Sequence, residues 1–356
     1  MMVGIHVMAE MLDVTVDPPD ARAIARAAAV LRDGGLVAFP TETVYGLGAH
    51  ALDRSAVLRI FAAKGRPAND PLIVHVRDVD HAASLVTELP EAARRLAARF
   101  WPGPLTLVLR RRPEVPREVT AGLDTVAIRV PAHPVARALL EAAALPVAAP
   151  SANLFSRPSP TQAAHVAEDL GARIDLILDG GPTTVGIESA VVDLASLRPT
   201  LLRPGAVSIQ ALREVIPELA IRQPVSAAGH EEALPSPGLL TMHYAPRTAM
   251  TLYEGPHATT RLAADARTAS LGSRVGVLAP SEDAAVVARA VPGIALVDLG
   301  SRDDDATVAA RLFAGLRELD HGGLDQILAC GREDGVGLWP AIQDRLRRAA
   351  SRVLRD

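Results

Sequence analysis

One cysteine, one lysine and ten aromatic residues are all that this chain of 356 residues contains of those types. Each scarcity excludes something. The single thiol, Cys330, can form neither an intrachain disulfide nor a thiolate metal cluster. It follows the apolar run Ile327-Leu328-Ala329 and reads as core rather than as a reactive group. So few aromatics argue against a surface built to stack bases. With a net charge of −4, nothing demands a nucleic acid or an anionic membrane as partner. No uncharged apolar run is long enough to span a membrane. Residues 1–20 lack the basic start and clean apolar run of a signal peptide. No membrane association and a cytoplasmic location are therefore expected.

The lysine shortage says most. Lys64 is the only lysine among 37 basic residues; the rest are arginine. Arginine replaces lysine freely on a solvated surface, but not where a compact ammonium on a flexible stem is required. Position 64 therefore reads as one that needs lysine chemistry, against the plainer reading of one lysine surviving a codon bias.

The remainder is ordinary globular composition, with 49% hydrophobic and 22% charged residues. The length favours two domains. Apolar spacing predicts helices at 20–33, 54–63, 91–100, 134–144 and 160–170. Short strands are expected at Leu36–Phe39, Leu72–Val76, Leu105–Leu109, Val126–Val130, Val147–Ala149, Leu176–Leu178, Ala190–Leu194 and Thr200–Leu202. Several connections are too short for a purely parallel sheet. From Arg222 to Leu240 the periodicity fails, and Pro, Gly and Ser mark a linker. Beyond it strands at 275–278, 295–297 and 324–329 alternate with helices at 281–290, 304–319 and 340–353, the pattern of a small doubly wound parallel sheet. The expected division is 14–216, a linker or lid at 217–247, and 248–356.

Five segments carry chemistry. Pro40-Thr41-Glu42-Thr43-Val44-Tyr45-Gly46-Leu47-Gly48 follows a buried strand and offers hydroxyls and close backbone approach to a ligand. It is not a Walker A loop. Lys64-Gly65-Arg66-Pro67 sets an ammonium and a planar guanidinium two residues apart, suited to a polyphosphate; Asn69-Asp70-Pro71-Leu72-Ile73-Val74-His75 follows. Pro150-Ser151-Ala152-Asn153 places donors at a strand end, with Ser156 and Ser159 ahead of the 160–170 helix. Ser189, opening a strand, and Arg203, closing one, could join a pocket at strand ends. His243-Tyr244-Ala245-Pro246 follows the linker and could close over a ligand. Singly, each of these has a bland reading as turn chemistry, helix capping or a domain seam.

In this order and spacing the segments PTETVYGLG, KGRP, PLIVHV, WPGPLTLVL, TVAIRVP, APSAN, ESAVVD, RPG and SPG…HYAP resemble the Sua5 branch of the Sua5/YciO/YrdC family, from about residue 20 to 247. The resemblance implies an α/β fold, a YrdC-like twisted mixed sheet around a concave cavity, followed by a small Rossmann-like C-terminal domain. It implies a nucleotidyltransferase that converts L-threonine, bicarbonate and ATP to L-threonylcarbamoyladenylate and pyrophosphate, for N6-threonylcarbamoylation of adenosine 37 in tRNA by a separate transferase. A weak direct contact with tRNA is left open.

By motif, Thr43, His75, Arg129, Ala149 and Ser189 resemble threonine-holding positions. Lys64, Arg66, Asp70, Thr125, Ser151, Asn153, Ser159, Arg203 and Tyr244 resemble nucleotide-contacting ones, with Lys64 and Arg66 catalytic. Mg²⁺ is expected with the ATP, held by no particular side chain. Two departures stand out. Asp70 occupies a position that is often Asn in the family, and a carboxylate repels a triphosphate unless Mg²⁺ intervenes. The segment before HYAP, often basic in the family, is Leu239-Leu240-Thr241-Met242. Two rivals remain: an RNA-binding module with a nucleotide-holding cavity, against which the acidic balance counts, and a carbamoyl transferase of the hydrogenase-maturation type, whose zinc cluster one cysteine cannot supply.

Overall fold

The computed structural model describes residues 8–222, 243–332 and 335–355. The expected SPG part of the linker, and most of the segment 217–247, lie outside the described residues.

The first body runs β1 (Glu10–Asp13), α1 (Ala21–Arg32), β2 (Val37–Phe39), β3 (Gly46–His50), α2 (Arg54–Lys64), β4 (Ile73–His75), α3 (Val79–Ala83), α4 (Glu91–Phe100), β5 (Leu105–Arg110), β6 (Thr125–Arg129), α5 (Pro134–Ala143), β7 (Val147–Ala148), α6 (Ala163–Leu170), β8 (Leu176–Asp179), β9 (Ala190–Asp193), β10 (Thr200–Arg203), α7 (Ile209–Val215) and β11 (Ala220–Ile221). Local chemistry sets the helix ends. Asp20 caps α1 by accepting from the amides of Arg22 and Ala23. Asp53 does the same for α2, and Gly65, at φ 63°, ends it in the left-handed conformation that glycine adopts without strain.

The eleven strands form one sheet in the order β1-β8-β2-β3-β7-β4-β6-β5-β9-β10-β11. It is mixed, as the short connections require. Antiparallel pairs such as β5·β6 and β9·β10 alternate with parallel ones such as β4·β6 and β5·β9. The second body contains β12 (Met250–Glu254), α8 (Ala258–Ala269), β13 (Val275–Ala279), α9 (Ser281–Ala290), β14 (Ala295–Asp298), α10 (Asp305–His321), β15 (Gln326–Cys330), α11 (Trp339–Ala349) and β16 (Arg352–Arg355). Its sheet, β14-β13-β15-β12-β16, is parallel throughout.

Several expectations change. The segment 41–48, read as a loop, becomes strand from Gly46, because Gly46–Gly48 pair with β2. The 160–170 helix begins only at Ala163, so neither Ser159 nor Thr161 caps it. Residues 220–221, assigned to the linker, extend the first sheet beside β10. The 340–353 helix stops at Ala349, and Arg352–Arg355 pairs with β12 instead.

The two bodies share an apolar core. Val44 and Ile187 of the first, and Tyr244 from the segment before β12, pack with Leu312, Phe313 and Ile342 of the second. Two buried ion pairs cross the same seam. Arg317 of α10 meets Asp169 of α6 at 2.6 Å, and Arg345 of α11 meets Glu188 at 2.9 Å. Among the described residues no helix is long and apolar enough to cross a membrane.

Close backbone approach explains the glycine of Arg203-Pro204-Gly205. A Cβ at Gly205 would lie 2.2 Å from the Ala190 amide nitrogen and the Ser189 carbonyl carbon. Those backbone atoms cannot swing away as a side-chain end can. Gly205→Ala should therefore cost about 2 kcal/mol or more in unfolding free energy, in the range for overpacking a tight site. Unfolding in urea measures it, and a midpoint equal to the wild type would refute the packing argument.

Candidate active site

A cavity forms where the β2–β3 connection, the ends of β4, β6 and β10, and the segments after β7 and before β9 converge. Strand order brings them together: β7 lies between β3 and β4, and β6 lies beside β4. Its remaining space is about 50 Å³, room for a few waters.

The Thr41 and Thr43 hydroxyls sit 2.8 Å apart, and Thr41 Oγ1 donates to the Val44 carbonyl at 2.6 Å. Arg129, at the end of β6, donates to Thr43 Oγ1 at 2.9 Å and to the Glu42 carboxylate at 2.6 Å. Burial pushes the Glu42 carboxyl up, but the Arg129 charge more than offsets this and holds it below the usual carboxylate range. His75 lies beside this pair, and its Nδ1 has no hydrogen-bond partner among the described residues. Burial, reinforced by the Arg129 charge, drives its pKa down to about 3, so the ring is neutral. A neutral imidazole with an uncommitted nitrogen can meet a ligand hydroxyl or amine.

On the opposite wall Arg66 reaches Asp70 at 2.9 Å and the carbonyls of Asp70 and Pro71. Ser189 Oγ is 2.8 Å from Thr106 Oγ1, and Arg203 donates to the Ser189 carbonyl at 2.9 Å. Glu188 accepts from Ser159 Oγ at 2.6 Å. Tyr244 roofs the cavity. Its ring lies 4.1 Å from that of His243 and 5.2 Å from that of Phe313. Its φ of 67° is unusual for a bulky residue, a conformation held only where surroundings impose it.

Thr43, His75, Arg129, Ala149 and Ser189 all line this cavity, as do Arg66, Ser151, Arg203 and Tyr244. Five expected positions do not. Lys64 lies one layer behind, with Nζ donating to the carbonyls of Ser151 and Asn153. Burial, then the Arg66 charge, depresses its pKa well below the ordinary lysine value. Asp70 is fully buried behind Arg66, and burial raises its carboxyl. It stands as the counter-charge of Arg66 rather than on the wall. Asn153 turns its amide to the carbonyls of Leu154 and Arg157, and Ser159 is committed to Glu188. Thr125 is at the other end of β6 from Arg129 and lines a separate depression with Arg110 and Asp193. Sequence reasoning named the motifs holding Glu42, Glu188 and His243 without assigning the carboxylates a role.

Residues 29–205 match the Sua5/YciO/YrdC family model, described as "Telomere recombination". Residues 207–351 match the model for the "Threonylcarbamoyl-AMP synthase, C-terminal domain". The chain is 47% identical over 329 residues to a threonylcarbamoyl-AMP synthase of Pyrococcus abyssi, covering 91% of this chain and 93% of that protein. The chain belongs to the Sua5 family. It is thereby an enzyme of the threonylcarbamoyl-AMP synthase class, a nucleotidyltransferase. The Bacillus subtilis synthase is 47% identical over 337 residues, 93% of this chain and 94% of its own length. A crystal structure of P. abyssi Sua5 complexed with L-threonine aligns with a TM-score of 0.90 at 43% identity, over 97% of this chain and 99% of that one.

The neutral His75 has a consequence for stability. The unfolded imidazole takes up a proton below about pH 6.5, whereas folded His75 does so only near 3. Because the unfolded state binds more protons, stability present above pH 6.5 is lost as pH falls, by about 2 kcal/mol at pH 5 from this residue. Urea unfolding of wild type and His75→Asn at pH 7.5 and 5 should show a shallower fall in the variant. Equal falls would place His75 in contact with water or a proton.

Proposed function

We propose that this chain joins L-threonine, bicarbonate and ATP into L-threonylcarbamoyladenylate with release of pyrophosphate, the product being consumed by a separate transferase that modifies adenosine 37 of tRNA. What supports this reading is one observation: all five residues that resemble threonine-holding positions, and four that resemble nucleotide-contacting ones, line a single cavity. An amino acid would sit against Thr43, His75, Arg129 and Ser189, its carboxylate toward Arg129 and its amine toward neutral groups. Polyphosphate would lie toward Arg66, Ser151 and Arg203.

In this mechanism the threonine amine captures CO₂ derived from bicarbonate and becomes a carbamate. A carbamate oxygen attacks the α-phosphorus, the bond to the β-phosphate oxygen breaks, and pyrophosphate leaves. No covalent enzyme intermediate is needed. The protein contributes position and fixed positive charge. A carbamate is labile in water, so a cavity roofed by Tyr244 is useful. With Tyr244 seated the space is too small for a nucleotide, so Tyr244 would act as a lid that moves when ATP enters. Among the described residues no three His, Cys, Asp or Glu side chains gather to hold a metal. Mg²⁺ is commonly held by one or two carboxylates together with substrate phosphates, and we assign any Mg²⁺ chiefly to the phosphates of ATP itself.

Lys64 would act from behind the wall. An ammonium has three donors. Two bind the Ser151 and Asn153 carbonyls and so hold the Ser151 segment against the cavity. Its charge adds to that of Arg66. Lys64→Ala should slow adenylate formation by about one to three powers of ten. Lys64→Arg should also fail, since a planar fork does not fit between those two carbonyls. Pyrophosphate release dependent on both threonine and bicarbonate is the assay. Wild-type rates in Lys64→Ala would remove this residue from the mechanism, and release independent of threonine would overturn the proposed reaction.

A further inference from the structure

Glu188 is the single carboxylate among the described residues that line the cavity. It is nearly fully buried, on the same wall as Arg66 and Arg203. A carboxylate held out of water beside an anion site opposes the ligand unless a cation takes up its charge. That cation comes from the other body. Arg345, in α11 and 157 residues away in sequence, donates through Nε to Glu188 Oε2 at 2.9 Å. The other carboxylate oxygen accepts from Ser159 at 2.6 Å. Arg345 also donates through Nη1 to the Pro204 carbonyl at 2.8 Å, next to Arg203. Its guanidinium carbon lies 5.6 Å from the centre of the Tyr244 ring, a cation–π distance.

We propose that Arg345 is a positioning residue for the nucleotide: it cancels the charge of Glu188, so that the wall Glu188 helps to form accepts a polyphosphate. The proposal rests on the reading that this cavity takes ATP. One feature separates it from a simple domain pin. Apart from Asp344, its neighbour in α11, which accepts from Nη1 at 2.9 Å, its partners line the cavity or adjoin a residue that does, whereas the other buried pair across the seam, Arg317 with Asp169, touches no lining residue. Burial pushes the Glu188 carboxyl up, but Arg345 first, then Arg203 and Ser159, more than offset this and keep it ionised. Without Arg345 that charge is left with the Ser159 hydroxyl and the field of Arg203.

The test compares wild type, R345M and R345M/E188Q in the full chain. Calorimetry gives ATP affinity, steady-state kinetics gives KM for ATP and for threonine, and thermal melting checks folding. R345M should weaken ATP binding roughly tenfold or more, as truncating one partner of a buried charge pair does. The threonine KM should stay within about threefold, because the threonine side of the cavity keeps its own Arg129–Glu42 pair. Removing the unpaired charge in R345M/E188Q should recover most of the ATP affinity. Unchanged ATP affinity in R345M overturns the proposal. So does a parallel loss for ATP and threonine that E188Q does not relieve, since that marks Arg345 as structural only. If R345M does not fold, R345Q, which can still donate to the Pro204 carbonyl, is judged by the same outcomes. A wild type that binds no ATP sinks the proposed function and this inference together, whereas an ATP-binding wild type with an indifferent R345M sinks only the inference.

Discussion

Charge buried out of water has to be matched, and in this chain the matching holds the cavity in shape. Arg66 is set against Asp70, Arg129 against Glu42 and Arg345 against Glu188, with all six side chains at or below 11% exposure. Each guanidinium is a rigid fork that must satisfy several acceptors at once. Arg129 therefore also binds Thr43 and the Gly103 carbonyl, Arg66 the carbonyls of Asp70 and Pro71, and Arg345 that of Pro204. Breaking such a pair strands a buried charge, at about 3–5 kcal/mol. The three pairs thus fix loops that few regular hydrogen bonds would hold. The cost of desolvating arginine is met in the same contacts that aim it.

This explains why the cavity sits at chain ends and loops of a sheet rather than on its faces. The faces are sealed by apolar residues, with Leu36, Leu47, Leu72, Leu105 and Ile128 almost inaccessible. Polar donors can converge only where strands stop. β4 ends at His75, β6 at Arg129 and β10 at Arg203, while Ser189 lies just ahead of β9. Neighbouring strands of a sheet stand about 5 Å apart. Residues more than a hundred positions apart in sequence, such as His75 and Arg203, therefore reach one hollow without any long excursion of the chain.

What the sequence showed and what it hid divide along the same line. Signals carried by a few adjacent residues were readable. Asp53 and Gly65 bracket α2, and the motif Pro150-Ser151-Ala152-Asn153 follows a buried strand. The lone lysine pointed to a special position. The two carbonyls that receive it come from a loop nearly ninety residues on, and no local pattern encodes them. Thr125 and Arg129 share a motif, yet a strand five residues long puts them at opposite ends. Edge strands were hidden for another reason. Glu10–Asp13 and Arg352–Arg355 are mostly exposed, so they lack the alternation that marks a half-buried strand. The C-terminal parallel sheet was legible because its central strands, such as Val275–Ala279, are buried on both faces and read as apolar runs.

The second body then acquires a role that its own strand ends do not supply. Its first strand after the seam lacks a glycine-rich turn, and its lone thiol is inert, since burial and the nearby Asp283 push Cys330 up to about 12. Its contribution lies on the opposite side, against the first body. Phe313 of α10 and Arg345 of α11 flank the Tyr244 ring, while Leu312 and Ile342 pack in the same core. Tyr244 therefore cannot leave its seat without losing contacts to the second body. Nor can the second body shift without loosening both Tyr244 and Glu188. Roof, wall and second body form one mechanical unit, and any movement that admits a large ligand must be shared among them.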